Sequence, residues 1–197
     1  MTGLLDSLPL LRALFRIILC CLLFIAAASA SQEDLGSWLE QGHSALENGS
    51  YREAADFFDR ALKIDGGNAS AWGGKGVAFS RLGRYKMAEI CLGMALKNED
   101  ANANYWLEDG RAKELGERWR EAIKSYDKAL SLNKSLAHAW LGLANSSLAL
   151  KEYEDAQQFY ENAQGQGLAQ EGRKGLLNSL LAEGQDALDR GSFKEAY

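Results

Sequence analysis

The groups able to do chemistry in this 197-residue chain are few and scattered. Its two histidines, His43 and His138, stand far apart in the sequence, with Cys91 between them. That spacing supports neither a shared metal site nor a Cys–His relay. Gly73-Gly74-Lys75-Gly76 has the residue types of a phosphate loop, but it follows Trp72 inside a predicted helix and reads as close helix packing. No complete phosphate loop, His-Glu-x-x-His pattern or nucleophile elbow occurs. Asp and Glu are plentiful, and on amphipathic helices they form the solvated face. The expectation is a chain without catalytic residues, metal or cofactor.

What positions the side chains is a repeat. Trp38, Trp72, Trp106 and Trp140 fall 34 residues apart without slippage. Gly42, Gly76 and Gly110 follow the first three by four residues, with Ala144 in the fourth copy. An aromatic recurs at Tyr51, Tyr85, Trp119 and Tyr153. Alanines recur at Ala54, Ala88, Ala122 and Ala156 and at Ala61, Ala95, Ala129 and Ala163. Between them a large apolar residue sits at Phe58, Leu92, Tyr126 and Tyr160. A fixed period of this length means one supersecondary unit stacked on copies of itself, which makes an extended surface rather than a cleft.

These columns resemble the tetratricopeptide repeat (TPR) family, whose unit is a helix–turn–helix. The resemblance implies an all-α, right-handed solenoid with units at 35–68, 69–102, 103–136 and 137–170, an insertion at 171–176 and a partial fifth unit at 177–197. Spacings of three, four and seven place Ala54, Phe58 and Ala61 on one helix face. Small residues there let helix backbones approach, and Trp72 and Trp106 are expected to be buried between helices. Ser50 with Glu53, and Ser192 with Glu195, read as capping boxes opening second helices. The family's closing proline is absent; Gly66, Asp100, Lys134 and Leu168 stand in its column. Gly66-Gly67 is expected to end the first pair through a left-handed cap, while later second helices lack a hard stop. The insertion reads as a loop or an extra helical turn.

The first thirty residues differ. Arg12 and Arg16 precede an apolar run from Ile17 to Ala28 and a small-x-small exit, Ala28-Ser29-Ala30. That describes a secretory signal peptide over 1–30. An uncleaved membrane anchor is the alternative, and either places the repeats outside the membrane they meet. The expected location is therefore secreted, periplasmic or cell-surface, with membrane contact only through an uncleaved N-terminal segment. Net charge is −5, and −6 over residues 31–197, which argues against nucleic acid as a partner. Cys20 and Cys21 lie in the leader, leaving Cys91 alone and no internal disulfide. Asn48, Asn68 and Asn133 fall in Asn-x-Ser patterns at predicted turns and are candidate glycosylation acceptors; Asn145 heads a fourth inside a helix.

The candidate site is the concave groove. In the family, first helices line the inner surface, which on this chain names Leu39 and His43, Gly73 and Val77, Leu107 and Arg111, and Leu141 and Asn145. Arg81 and Glu108 add charge, and Leu46, Ser80, Glu114 and Leu148 lie further along. Such a lining suits a helix or extended peptide with apolar anchors, although the same leucines could serve only to pack neighbouring first helices. Some TPR domains hold a chaperone's C-terminal carboxylate with Lys, Asn and Arg; the matching residues here are Leu39, His43, Gly74, Asn104 and Glu108, so no such receptor is expected. The reading is an exported, non-enzymatic scaffold binding a protein or peptide. The alternatives are the docking arm of a larger exported or membrane enzyme continuing past residue 197, and an envelope assembly factor. The fifth unit stops about one turn into its second helix, so self-association through its open face is expected.

Overall fold

The computed structural model describes residues 34–191. Two compact units divide the chain after Ser37. Of the first, only Asp34–Ser37 is described, where the Asp34 carboxylate accepts a hydrogen bond from the Gly36 amide at 3.4 Å. The leader read over 1–30 and the Ser192–Glu195 capping box lie outside the described residues.

Among the described residues there are nine helices and no strand: α1 (Leu35–Glu47), α2 (Tyr51–Ile64), α3 (Ala69–Arg81), α4 (Tyr85–Asn98), α5 (Ala103–Leu115), α6 (Trp119–Leu132), α7 (Ala137–Ala149), α8 (Tyr153–Gly165) and α9 (Ala169–Asp189). Helices adjacent in sequence pack together from α2 to α9, and the first helices α3, α5, α7 and α9 also touch in succession. That is a solenoid of helix pairs. Residues 171–176 continue α9, which is one helix of 21 residues where the other first helices have 13.

A wedge couples the pairs. An added Cβ at Gly42 would come within 2.6 Å of Phe58, and one at Gly110 within 2.7 Å of Tyr126. The same rings overlap the places where side chains of Gly74 and Gly142 would stand on the next first helix. Each ring therefore fills the space between glycines of two successive units. The wedges Phe58, Leu92, Tyr126 and Tyr160 and their flanking alanines are buried. The Gly73–Gly76 run is helical, and its glycines admit Tyr105, Phe58 and Leu92.

The helix ends correct several expectations. Left-handed residues close the first helices, and of the second helices only α8: Gly49, Gly83, Glu117 and Lys151 have φ of 76°, 73°, 59° and 62°, and Gly167 after α8 has 107°. The next amide in each case reaches back to the helix, as Ser50 N to Ala45 O and Arg118 N to Lys113 O, both at 2.9 Å. Ser50 makes no side-chain capping bond: its ψ of 60° departs from the extended backbone of an N-cap, and its amide, the group Glu53 would meet in a capping box, is held by Ala45 O. Gly66 and Gly67 have no positive φ; α2 ends at Asp65 in extended backbone, whose carboxylate accepts from the Gly67 amide at 3.0 Å. Nor do later second helices run on, since α2, α4 and α6 all stop in the same column.

The stop is supplied by tryptophan. Trp72, Trp106 and Trp140 donate from Nε1 to the carbonyls of Gly66, Asp100 and Lys134 at 2.8, 2.7 and 3.0 Å. Those acceptors occupy the column where the family has proline. The geometry also explains why Trp72 and Trp106 are only half-buried, against expectation: the indole edge must reach a surface turn. Trp38 is the one indole of the four in the core, 5% exposed and stacked on Phe57.

Candidate functional site

First helices α3, α5 and α7 enclose a hollow of about 490 Å³ on their shared face. Arg81 contributes from α3, Leu107, Glu108, Arg111, Glu114 and Leu115 from α5, and Tyr126 from α6. From α7 come His138, Leu141, Gly142 and Asn145. Seven residues named from sequence thus meet on one hollow: Arg81, Leu107, Glu108, Arg111, Glu114, Leu141 and Asn145. Leu39, His43 and Val77 stand elsewhere. His43 is exposed on α1, its Nε2 lies 3.2 Å from Ser70 Oγ, and its ring meets Phe58 edge-on. Leu39 and Val77 are half-buried.

The apolar lining has two tasks. Leu107 packs on the buried cluster around Tyr126 and Leu143, and Leu141 on the cluster of Ala144, Ala156 and Tyr160. Both also border the hollow. Its base is a hydrogen-bonded relay that crosses from the third unit to the fourth. The Tyr126 hydroxyl donates to Glu114, whose other oxygen accepts from Asn145 Nδ2 at 3.1 Å. Asn145 Oδ1 accepts from the Tyr160 hydroxyl at 2.8 Å. Burial and then the Glu114 charge raise both phenols: Tyr160 is pushed up to about 12, and Tyr126 is held protonated across the ordinary range. A relay satisfied at every member gives the hollow a rigid floor.

Sequence reasoning placed Tyr126 and Tyr160 in an apolar column and missed the relay. The available signal was the change from Phe58 and Leu92 to phenols just where Glu114 and Asn145 appear. A second buried set joins α5 to α6: Ser125 Oγ donates to Asp109 at 2.6 Å, and Lys113 donates to both. Asp109 is thereby paired despite its burial, and it stiffens the unit behind the hollow.

Two charges on the lining stay unpaired. Arg81 is exposed and Arg111 half-buried, and neither forms an ion pair among the described residues. One carboxylate oxygen of Glu108 is buried without a hydrogen-bond partner. Two guanidiniums and two leucines therefore border the hollow, where a ligand could complete the charges.

Other sequence candidates are accounted for as follows. Burial pushes the Cys91 thiol up to about 11, so it stays protonated and is a poor nucleophile. No group of three or more His, Cys, Asp or Glu able to hold a metal occurs among the described residues. No described helix is long and apolar enough to cross a membrane. Asn68 caps α3 by accepting from Ala71 N, and Asn145 is committed to the relay. Asn48 and Asn133 are exposed; Asn133 Oδ1 accepts from the Ser135 amide and hydroxyl at 3.0 and 2.7 Å.

Comparison with known proteins follows the same architecture. No curated protein matches the chain in sequence. Among solved structures, MamA superposes with a TM-score of 0.69 at 18% identity, covering 82% of this chain and 89% of its own. YrrB, described as a TPR protein with an unusual peptide-binding site, gives 0.67 at 18% identity over 88% and 86%. PilF of Pseudomonas aeruginosa gives 0.64 at 19% over 82% and 86%. At these identities the likeness establishes the fold. Two family models, each described as tetratricopeptide repeat, match residues 45–109 and 107–170, together well over half of the chain. TPR domains bind proteins or peptides, and this chain belongs to the tetratricopeptide repeat family.

Proposed function

We propose that this protein is a non-enzymatic scaffold that binds a short protein or peptide segment in the hollow bordered by α3, α5 and α7. The observation that carries the reading is the convergence of Leu107 and Leu141 with the unpaired Arg81 and Arg111 over a rigid floor. An apolar side chain would seat between the leucines, while polar groups beside it meet the guanidiniums. The surface chemistry suits recognition, which places few groups with care on a preformed frame.

The setting we infer is outside the cell membrane, on the charge, apolar run and small-x-small exit of residues 1–30. Leu177, Leu180 and Leu181 are exposed along α9 and support self-association through that face.

The test is selection of binders from a random peptide library, followed by titration of the best sequence against the full chain. Leu141→Glu should weaken binding by about tenfold or more, since it puts an unpaired charge in the seat. Equal affinity for this variant would place the binding surface elsewhere.

A further inference from the structure

Outside the groove, one helix breaks the rule its counterparts obey. On the outward face of a second helix, the repeat places charged or polar residues in four columns. On α2 they are Glu53, Asp56, Asp59 and Arg60; on α6, Glu121, Lys124, Asp127 and Lys128; on α8, Asp155 is joined by Gln158, Glu161 and Asn162. On α4 the same columns hold Met87, Ile90, Gly93 and Met94. The substitutions are not absorbed by the fold. Met87 is 46% exposed, Ile90 60% and Met94 36%. A Cβ added at Gly93 would meet nothing within 4 Å.

Each substitution works against the isolated protein. Three apolar side chains on one face stand in water, where soluble surfaces seldom cluster them without a use. Gly93 sits inside a helix, where glycine is the least favourable residue after proline, and no neighbour requires its lack of a side chain. A glycine among apolar residues is what a helix needs when a second backbone must come close. Methionine adapts its shape to the surface it meets. The charge around the patch is also one-sided. Lys86, Ile90, Gly93 and Lys97 run along a single line of the helix, with Met87 and Met94 on the line beside it. Both lysines are exposed and have no ion-pair partner among the described residues, while Glu89 is occupied by Arg118.

We propose that the outward face of α4 is a second docking surface, separate from the groove, whose occupant is an amphipathic helix of a partner protein with an apolar stripe and acidic flanks. The stripe covers Met87, Ile90 and Met94, its backbone approaches at Gly93, and its acidic residues pair with Lys86 and Lys97. Two surfaces on opposite sides of one solenoid let the chain hold two partners at once.

The probe is a designed peptide of roughly 18 residues with leucines on one helix face and glutamates along both flanks. The full chain should bind it saturably and prefer it to the same peptide with lysine flanks. Replacing α4's residues by those α6 carries, Met87→Glu with Ile90→Lys and Met94→Lys, should weaken binding by about tenfold. Thermal stability should be unchanged, because those side chains are exposed. Gly93→Ala should raise the melting temperature and still weaken binding, a combination no purely structural glycine would give. Leu141→Glu in the groove should leave this interaction intact, so failure of the groove reading is distinguishable from failure here. Equal affinity of the triple variant, preference for the lysine-flanked peptide, or no saturable binding would overturn the proposal. So would phosphatidylglycerol vesicles binding through the patch in place of the peptide, or a dimer that the triple variant dissociates.

Discussion

Asp100 gives its backbone carbonyl to the indole of Trp106, with Nε1 and O 2.7 Å apart. The same bond joins Trp72 to Gly66 and Trp140 to Lys134. Tryptophan in the first helix of one unit therefore fixes where the second helix of the preceding unit ends. Trp106→Phe keeps most of the ring packing and deletes only this donor. It should cost about 1 kcal/mol, the usual net worth of such a bond, read from urea unfolding. A cost nearer that of Trp106→Ala would show that packing, not the bond, sets the boundary.

Because the indole acceptors occupy the family's proline column, proline should be tolerated there. Gly66 has no positive φ, its amide makes no backbone hydrogen bond, and the preceding Asp65 is extended, as a residue before proline prefers. Gly66→Pro should stabilise by about 0.5–1 kcal/mol through the unfolded chain. A fall in melting temperature would mean the turn needs glycine's freedom.

Glu117 and Lys151 occupy the left-handed position that Gly49 and Gly83 fill in the first two units. Left-handed backbone costs a residue with a Cβ about 1–2 kcal/mol, offset in part by glycine's greater entropy when unfolded. Glu117→Gly should therefore leave stability unchanged or raise it by up to about 1 kcal/mol, whereas Gly83→Glu should lower it. The paired substitutions are compared by thermal denaturation.

How much of this was legible follows from what repeats. Trp38, Gly42, Phe58 and Ala61 recur at one interval, so the helix pairs and their packing faces could be read directly. Chain direction at the turns was legible at Gly49 and Gly83 but not at Glu117 and Lys151, which are left-handed because the next amide closes back on the helix, as Arg118 N does on Lys113 O. Groove membership was partly readable. Leu107, Arg111, Leu141 and Asn145 follow from the family resemblance and border the hollow, whereas Leu39, His43 and Val77, which follow from it in the same way, lie outside its lining. The relay escaped because tyrosine serves a core as well as a network. Asn145, named for the groove, spends both ends of its amide on Glu114 and Tyr160.

The relay has a pH signature. Tyr160 is pushed up to about 12 from an ordinary 10, and Tyr126 is raised further. A folded pKa above the unfolded one gives stability that is fully present below the unfolded value and lost as pH rises. The folded state should hold steady to about pH 9 and weaken between about 10 and 12. Cys91, pushed up to about 11, contributes the same sign from about 9, so the measurement is made in Cys91→Ala. Tyr160→Phe should flatten the slope of the urea midpoint against pH, and an unchanged slope would separate the relay from the titration.

The family's carboxylate-holding columns make a separate negative claim about specificity. Leu39, His43, Gly74, Asn104 and Glu108 stand where chaperone-tail receptors carry their carboxylate-holding residues. A peptide ending in acidic residues and a free carboxylate should give no saturable heat by calorimetry with the full chain.

The most direct test of the groove is a footprint. Backbone amide shifts of the full chain, followed by NMR as the library-selected peptide is added, should move at Leu107, Arg111 and Leu141 and saturate together. They should stay still along the outward faces of α2, α6 and α8. Saturating shifts confined to those outward faces, with α5 and α7 silent, would contradict the account.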